Sequence, residues 1–429
     1  MKKVAFYLNN PSMKGCNYSD IQEGNPGIAG SEYEYLLVSY LLDIRSNGID
    51  VFLLTNASGV FPHKNVVKVE NLSDASLYCK INDINIIVLD IKYFEKNILD
   101  RFSDFFSVII WAHNDVGYKN WNLLNSLKYI TRVVNVGREQ MELYRDHPLT
   151  NKSTYIYNIF PLKARSYYTN MIDQSDNHNV VYMGSIVKQK GFHYLARSWK
   201  KIIKAIPDAQ LYVIGSGNLY NRETKLGKYG IAEESYEKMF IPYITNEQGE
   251  ILPSVHFLGL LGDEKYSVMG KCKVGVPNPT GSTETFCICA IEMQLMGCNI
   301  TSIAHSAYYD TVMNKTYLYK SERDLSKFVI RRLLSTRDDV NTLYDFIENN
   351  FCAEKNIVKW EDLLQNLEKP LAITSISRHH IKCKLLKNEI LRIRNKSHLL
   401  DQLYSIDFLF FCISQLKGRI YDIIFKFKL

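Results

Sequence analysis

The chain is 429 residues long, enough for about two to three typical domains, and its 46% hydrophobic and 23% charged residues are ordinary for a soluble globular protein. No run approaches the roughly 18 to 20 apolar residues of a membrane-spanning helix, and the start, with Asn9, Asn10 and Pro11 after a short apolar run, reads as a first strand and not as a signal peptide. The net charge of +7 sits wholly beyond Pro370, where eleven Lys and Arg face four Asp and Glu; a neutral body with a basic tail argues against a nucleic-acid partner.

In chain order, Val4 to Leu8, Val51 to Thr55, Ile86 to Asp90, Val108 to His113 and Val133 to Val136 read as strands. They are continuous apolar runs, as expected of parallel strands covered on both faces in a doubly wound sheet. Ser31 followed by Glu34 predicts a capping box ahead of a helix whose apolar face is Tyr35, Leu36, Val38 and Leu41. The polar stretch from Thr169 to Asn179 interrupts the periodicity and is the expected interdomain linker.

The pattern then restarts, with strands at Val180 to Met183, Gln210 to Ile214, Val255 to Leu258, Val274 to Val276 and Ile300 to Ile303, and helices at Phe192 to Ala205 and Thr285 to Met296. The expected division is 1–168 as a first doubly wound domain, 169–179 as linker, 180–337 as a second, 338–370 as C-terminal helices and 371–429 as a basic amphipathic tail. Two such domains facing each other make a cleft at the carboxyl ends of both sheets, where ligands bind. The nine cysteines are scattered without a CxxC pair or zinc spacing, which suits reduced thiols in a cytoplasm.

The most specific segment is NPTGSTETFCICAIEMQLMG, Asn278 to Gly297, which passes from turn residues through Glu284 into a helix carrying Glu292 and closes on Gly297. The amides of a first turn at Thr285 to Cys287 lack intrahelical acceptors and lie at the positive end of the helix dipole, a position that suits a diphosphate. Glu284 would reach sugar hydroxyls beyond it, and Glu292, two turns on, ribose hydroxyls. By itself a pair of glutamates eight apart is more often solvated surface charge.

The surrounding landmarks change that weighting. In VVYMGSIVKQKGF, Gly184 ends a strand and Lys190 and Gly191 open a helix; LYVIGSG ends on Gly215 and Gly217; VHFLG follows at Val255 to Gly259; then come Glu284 and Glu292 with seven residues between them. This order resembles retaining glycosyltransferases of the GT-B fold, glycosyltransferase family 4 (glycosyl transferases group 1), over roughly residues 1 to 368. The resemblance implies an α/β protein of two Rossmann-like doubly wound domains, acceptor domain first and donor domain second, with a helical basic tail. It implies Lys190 on the donor diphosphate, Glu284 on the transferred sugar and Glu292 on the ribose. Gly184, Ser185, Gly215, Gly217, Thr285, Phe286 and Cys287 would line the donor site, with Leu258 at the nucleobase. In the first domain the loop GNPGIAG, with Gly27 and Gly30, would close over donor and acceptor, and His113 would stand near the reacting sugar. This chain departs from the family in Ser185, where Arg is common and Lys188 could substitute, and in Thr285 and Cys287, where glycines are common. Cys287 and Cys289 read as small buried fillers rather than a reactive pair.

The implied reaction moves a hexose-type sugar from a UDP- or GDP-sugar to a hydroxyl of a glycan or lipid-linked glycan with retained configuration, without cofactor or metal, in surface polysaccharide or lipopolysaccharide synthesis. No Asp-x-Asp triplet occurs. The tail, rich in Lys and Arg among Ile381, Leu385, Leu386, Ile390, Leu391 and Ile393, could lie on an anionic membrane and place the enzyme on the inner face of the cell membrane, or could pack on the body or a partner subunit. The rival readings are a catalytically inactive sugar-nucleotide or glycan-binding protein and a sugar-nucleotide epimerase.

Overall fold

Strands buried on both faces must pair side by side under covering helices, and the chain does this twice. The computed structural model of the protein describes residues 1–10, 13–45, 48–218, 224–371, 386–387 and 389–393, with backbone alone for 14–16. Unit 1 comprises Met1–Tyr157 with the chain from Ile357 onward, and unit 2 comprises Asn158–Asn356.

In unit 1, β1 (Lys2–Leu8), α1 (Gly30–Arg45), β2 (Ile49–Thr55), β3 (Val66–Lys68), α2 (Leu72–Ile81), β4 (Ile86–Asp90), β5 (Ser107–Ala112), β6 (Ile130–Asn135) and β7 (Ser153–Tyr155) build a seven-stranded sheet ordered β3-β2-β1-β4-β5-β6-β7. Every pairing is parallel, with Val4 opposite both Val51 and Ile86. All five residues of β4 are buried, which is why it reads as a continuous apolar run.

In unit 2, β8 (Asn179–Met183), α3 (Phe192–Ala205), β9 (Gln210–Ile214), α4 (Glu234–Ile244), β10 (Val255–Gly259), α5 (Glu264–Gly270), β11 (Val274–Gly275), α6 (Ile288–Leu295) and β12 (Asn299–Ile300) give a parallel five-stranded sheet ordered β10-β9-β8-β11-β12. Phe192, Leu195, Trp199 and Ile202 form the buried stripe of α3 against Tyr182, Leu211 and Val213. Trp199 is fully enclosed, and its indole N–H donates to Ser254 Oγ at 3.0 Å, so one side chain supplies a large apolar contact with its polar atom satisfied.

Four local expectations differ from what is observed. The chain leaves unit 1 after Tyr157, and residues 169–179 are part of unit 2, where Asp173 N–H donates to Gly270 O and Lys273 pairs with Asp176. Their polarity reflects exposure on unit 2 and not a boundary. The capping box at Ser31 does not form: Tyr33 N–H already bonds Ala29 O, so α1 starts earlier and the Ser31 hydroxyl donates to Glu32 Oε2 at 2.6 Å. Residues 338–370 are not a separate region. Helix α7 (Val340–Phe351) belongs to unit 2, while α8 (Ala353–Gln365) carries the chain back to unit 1, where Trp360 packs on Trp111 with ring centroids 4.7 Å apart. Finally, the helix expected from Thr285 begins at Ile288.

Most of the tail, including Ile381 and Leu385, lies outside the described residues. Its described part, 386–387 and 389–393, is anchored on unit 1: Lys387 is buried and its Nζ donates to Glu142 O and Leu143 O, both at 3.1 Å.

Candidate functional site

In a parallel sheet the loops at the carboxyl ends of the strands carry the chemistry, and in unit 2 those loops are tied to one another. Gly184 N–H bonds Ile214 O and Gly215 N–H bonds Gly259 O, so the ends of β8, β9 and β10 lie edge to edge. A Cβ on Gly215 would stand 1.9 Å from Gly184 O, and its φ of +140° is open to glycine almost alone. Ser185 is buried beside this junction, with its hydroxyl 3.3 Å from Ser216 O. Gly217, one turn on, bonds Ile231 O, and Leu258 lies half-buried at the end of β10.

After β8 a single 3-10 turn, Lys188–Lys190, ends on left-handed Gly191 (φ 69°), and α3 follows. The Tyr182 hydroxyl bonds Lys190 O at 3.0 Å, fixing the turn against the sheet. Lys190 Nζ meets Glu284 Oε1 at 2.5 Å, with side chains only 18% and 11% exposed. The loop that carries Glu284 is itself braced. Asn278 Nδ2 reaches Ser282 O, Gln189 O and Glu284 Oε1, while the hydroxyls of Tyr308 and Ser302 donate to Asn278 O. Thr283, immediately before Glu284, holds a left-handed φ of 61°, a strained conformation for a β-branched residue. Burial lowers the pKa of His305 beside this loop, and the Glu284 charge works in the opposite direction.

Because α6 begins at Ile288 with Cys287 as its N-cap, its first-turn amides are those of Ile288 to Ala290 and not those of Thr285 to Cys287. The physical reason is the tight turn through Gly281 and Thr283, which keeps Thr285 to Cys287 outside the helix as buried loop residues. Phe286 sets its ring edge-on against Phe351. Cys289 as a hydrogen-bond neighbour, followed by burial, pushes the Cys287 thiol well up, so it stays protonated.

Glu292 lies in the second turn of α6, 7% exposed, where Lys265 Nζ at 2.7 Å and the Tyr266 hydroxyl at 3.2 Å both meet its Oε1. The structure thus brings Lys190 and Glu284 into direct contact and gives Glu292 partners from α5.

The residues expected in the first domain lie in unit 1. Exposed Gly27 and Gly30 flank a loop organised by Asn25, whose Oδ1 accepts from Gly27 and Ile28 N–H at 2.9 Å. His113 follows β5, buried, its ring 4.4 Å from that of Trp111 and its Nδ1 3.4 Å from Asp90 Oδ2. Nearby along the strand ends, Glu32 Oε1 accepts from Lys92 Nζ (2.8 Å) and Asn10 Nδ2 (3.1 Å). Burial opposes charge on Glu32, but Lys92, through its charge and hydrogen bond, outweighs it and holds the carboxyl below its ordinary range.

Several of these groups carry no readable sequence signal. Lys265 and Tyr266 sit in an unremarkable amphipathic helix, and Asn278 looks like any turn residue. Asp90 is the exception, since an acid closing an apolar strand is visible as such. Among the described residues no group of three His, Cys, Asp or Glu stands ready for a metal ion, and no helix is long and apolar enough to cross a membrane.

Two units of parallel sheet, with charged loops at the carboxyl strand ends, are the GT-B architecture. Solved proteins confirm it: HepE of Anabaena, in complex with UDP, superimposes with a TM-score of 0.59 at 14% identity over 85% of this chain and 100% of that one. Sucrose-phosphate synthase of Thermosynechococcus elongatus gives 0.56 at 13% identity over 86% and 99%. The catalytic domain of starch synthase IV from Arabidopsis thaliana, bound to ADP and acarbose, gives 0.52 at 10% identity over 86% and 99%. Within that class, residues 177–334 match the family described as Glycosyl transferases group 1, and the chain resembles its members in motif order and fold. An uncharacterized glycosyltransferase of Haemophilus influenzae is 26% identical over 140 residues, which are 31% of this chain and 38% of that protein.

Proposed function

We propose that the chain is a retaining glycosyltransferase that moves a hexose-type sugar from a nucleoside diphosphate sugar to a hydroxyl of a glycan or lipid-linked glycan, without a metal, in surface polysaccharide or lipopolysaccharide synthesis. The observation that carries the reading is the Lys190–Glu284 pair, which joins the turn after β8 to the loop between β11 and α6. A cation and a carboxylate held together and largely buried are the two charges that a sugar diphosphate would separate: ammonium to phosphate, carboxylate to sugar hydroxyls. The match of residues 177–334 to a glycosyltransferase family, and the UDP and ADP bound to the HepE and starch synthase structures, support a nucleoside diphosphate as the leaving group.

In the reaction the bond between anomeric carbon and diphosphate oxygen breaks, and the acceptor oxygen bonds to that carbon on the same face. The acceptor proton passes to the departing diphosphate. Lys190, once it exchanges its contact with Glu284 for one to phosphate, stabilises the charge that grows on the diphosphate. His113, whose Nδ1 stands 3.4 Å from Asp90 Oδ2, is assigned to the acceptor unit. The tail beyond the anchored segment supplies the contact with an anionic membrane at the inner face of the cell membrane, where a lipid-linked acceptor is available.

The test is turnover of UDP- and GDP-sugars on lipid-linked acceptors, read by mass analysis of the product. Transfer with an unchanged anomeric configuration, insensitive to EDTA and lost in Glu284→Ala with nucleotide binding kept, is expected. A strict requirement for Mn²⁺ or Mg²⁺ overturns the metal-independent reading, and nucleotide binding with no turnover of any donor favours the inactive binding protein.

A further inference from the structure

Lys265 and Tyr266 are neighbours at the start of α5, and Glu292 faces them from α6. Both donors converge on the same carboxylate oxygen, Oε1, with Lys265 Nζ at 2.7 Å and Tyr266 Oη at 3.2 Å. The site is enclosed: the side chains of Glu292 and Lys265 are 9% and 24% exposed. Burial alone would lower the Lys265 pKa, but the Glu292 charge and hydrogen bond hold the ammonium above its ordinary value. Burial, and after it the Glu292 charge, drives the Tyr266 phenol far upward, so Tyr266 donates and does not ionise. A carboxylate accepts through two oxygens. With two donors on Oε1, rotation of the group is fixed, and Oε2 is the oxygen left to meet a ligand hydroxyl.

Resting on the reading of Glu292 as the partner of the donor's ribose, we propose that Lys265 is a positioning residue: with Tyr266 it pins Glu292 so that Oε2 accepts from the ribose hydroxyls. The discrimination between ribo- and 2′-deoxyribonucleotides is then set by Lys265 through Glu292. A lysine that merely tied α5 to α6 would alter the melting temperature and leave this discrimination unchanged.

The test uses the full chain and calorimetric titration with UDP, GDP and the 2′-deoxy form of each. In the wild type, loss of a hydrogen bond to a charged group weakens the deoxy form about 10- to 100-fold. Lys265→Met weakens the ribonucleotide about tenfold, and the ribo-to-deoxy ratio falls below about threefold. Lys265→Arg restores the ratio. Glu292→Gln separates the two levels of the argument. If it binds ribonucleotide as the wild type does, the ribose reading fails. If it binds weakly while Lys265→Met keeps both affinity and ratio, the positioning role of Lys265 alone is overturned. Binding of neither nucleotide by the wild type overturns both. Where Lys265→Met does not fold, Lys265→Ala, which also removes the donor, serves in its place, and an unchanged ratio there overturns the proposal.

Discussion

Replacing Glu284 with Gln tests whether the Lys190–Glu284 pair is held ready for a ligand. The two side chains meet at 2.5 Å and are 18% and 11% exposed. A charge-assisted contact of this kind contributes about 1.5 to 3 kcal/mol, reduced where solvent screens it. For Lys190 to reach a diphosphate, that contact has to be exchanged for one to phosphate. Glutamine preserves the shape and can still accept from Asn278 Nδ2, which stands 3.3 Å from the same oxygen, but it removes the charge that holds the lysine. With about 1.4 kcal/mol per factor of ten, and allowing for screening, the nucleoside diphosphate should bind about three- to tenfold more tightly. Sugar transfer should meanwhile fall by about a hundredfold or more, because the hydroxyl partner has lost its charge. Titration calorimetry with UDP and GDP reads the first effect, and turnover of the nucleotide sugar reads the second. Unchanged or weaker nucleotide binding in Glu284→Gln would refute the idea that Glu284 restrains Lys190 before the ligand arrives.

Gly215→Ala sets a methyl group 1.9 Å from Gly184 O at a left-handed φ, so the ends of β8 and β9 must part. A cost of about 2 to 4 kcal/mol and a fall of roughly 5 to 10 °C in Tm are expected by scanning calorimetry; an unchanged Tm contradicts the close approach. His63 is buried against α1, with Nε2 2.8 Å from Ser39 Oγ, and burial holds its pKa down to about 4 from an ordinary 6.5. The unfolded chain therefore binds more protons between these values. The contribution is complete above pH 6.5 and is lost as the pH falls toward 4, with a slope of up to about 1.4 kcal/mol per pH unit. Urea midpoints across this window should flatten in His63→Gln, and a slope equal to that of the wild type counts against the burial argument. Removal of residues 394–429, which spares the Lys387 anchor, should abolish recovery on anionic vesicles and leave nucleotide binding intact; undiminished recovery rules out the membrane role.

Where the sequence was legible, burial made it so. The strands of both sheets are continuous apolar runs because helices cover both faces, and α3 from Phe192 to Ala205 shows its stripe plainly. The boundaries were less legible. The polar run 169–179 looked like a linker, yet a polar composition marks exposed chain wherever it lies, and here it marks the surface of unit 2. Helix α6 starts three residues beyond Thr285 because Thr285, Phe286 and Cys287 suit a helix as well as a loop, and the turn through Gly281 and Thr283 decides between them.

The amino-acid sequence by itself determined two parallel α/β units, the placement of charge in the tail, and the landmark order that singles out Lys190, Glu284 and Glu292. Local pattern suffices for these, since periodicity and glycine position are properties of neighbouring residues. Only the tertiary structure decided that Lys190 and Glu284 hold each other across 94 positions, that Lys265 and Tyr266 share one oxygen of Glu292, and that Asp90 stands against His113. Those pairings depend on where separate strands and helices end in space, and no short-range pattern in the chain encodes that distance.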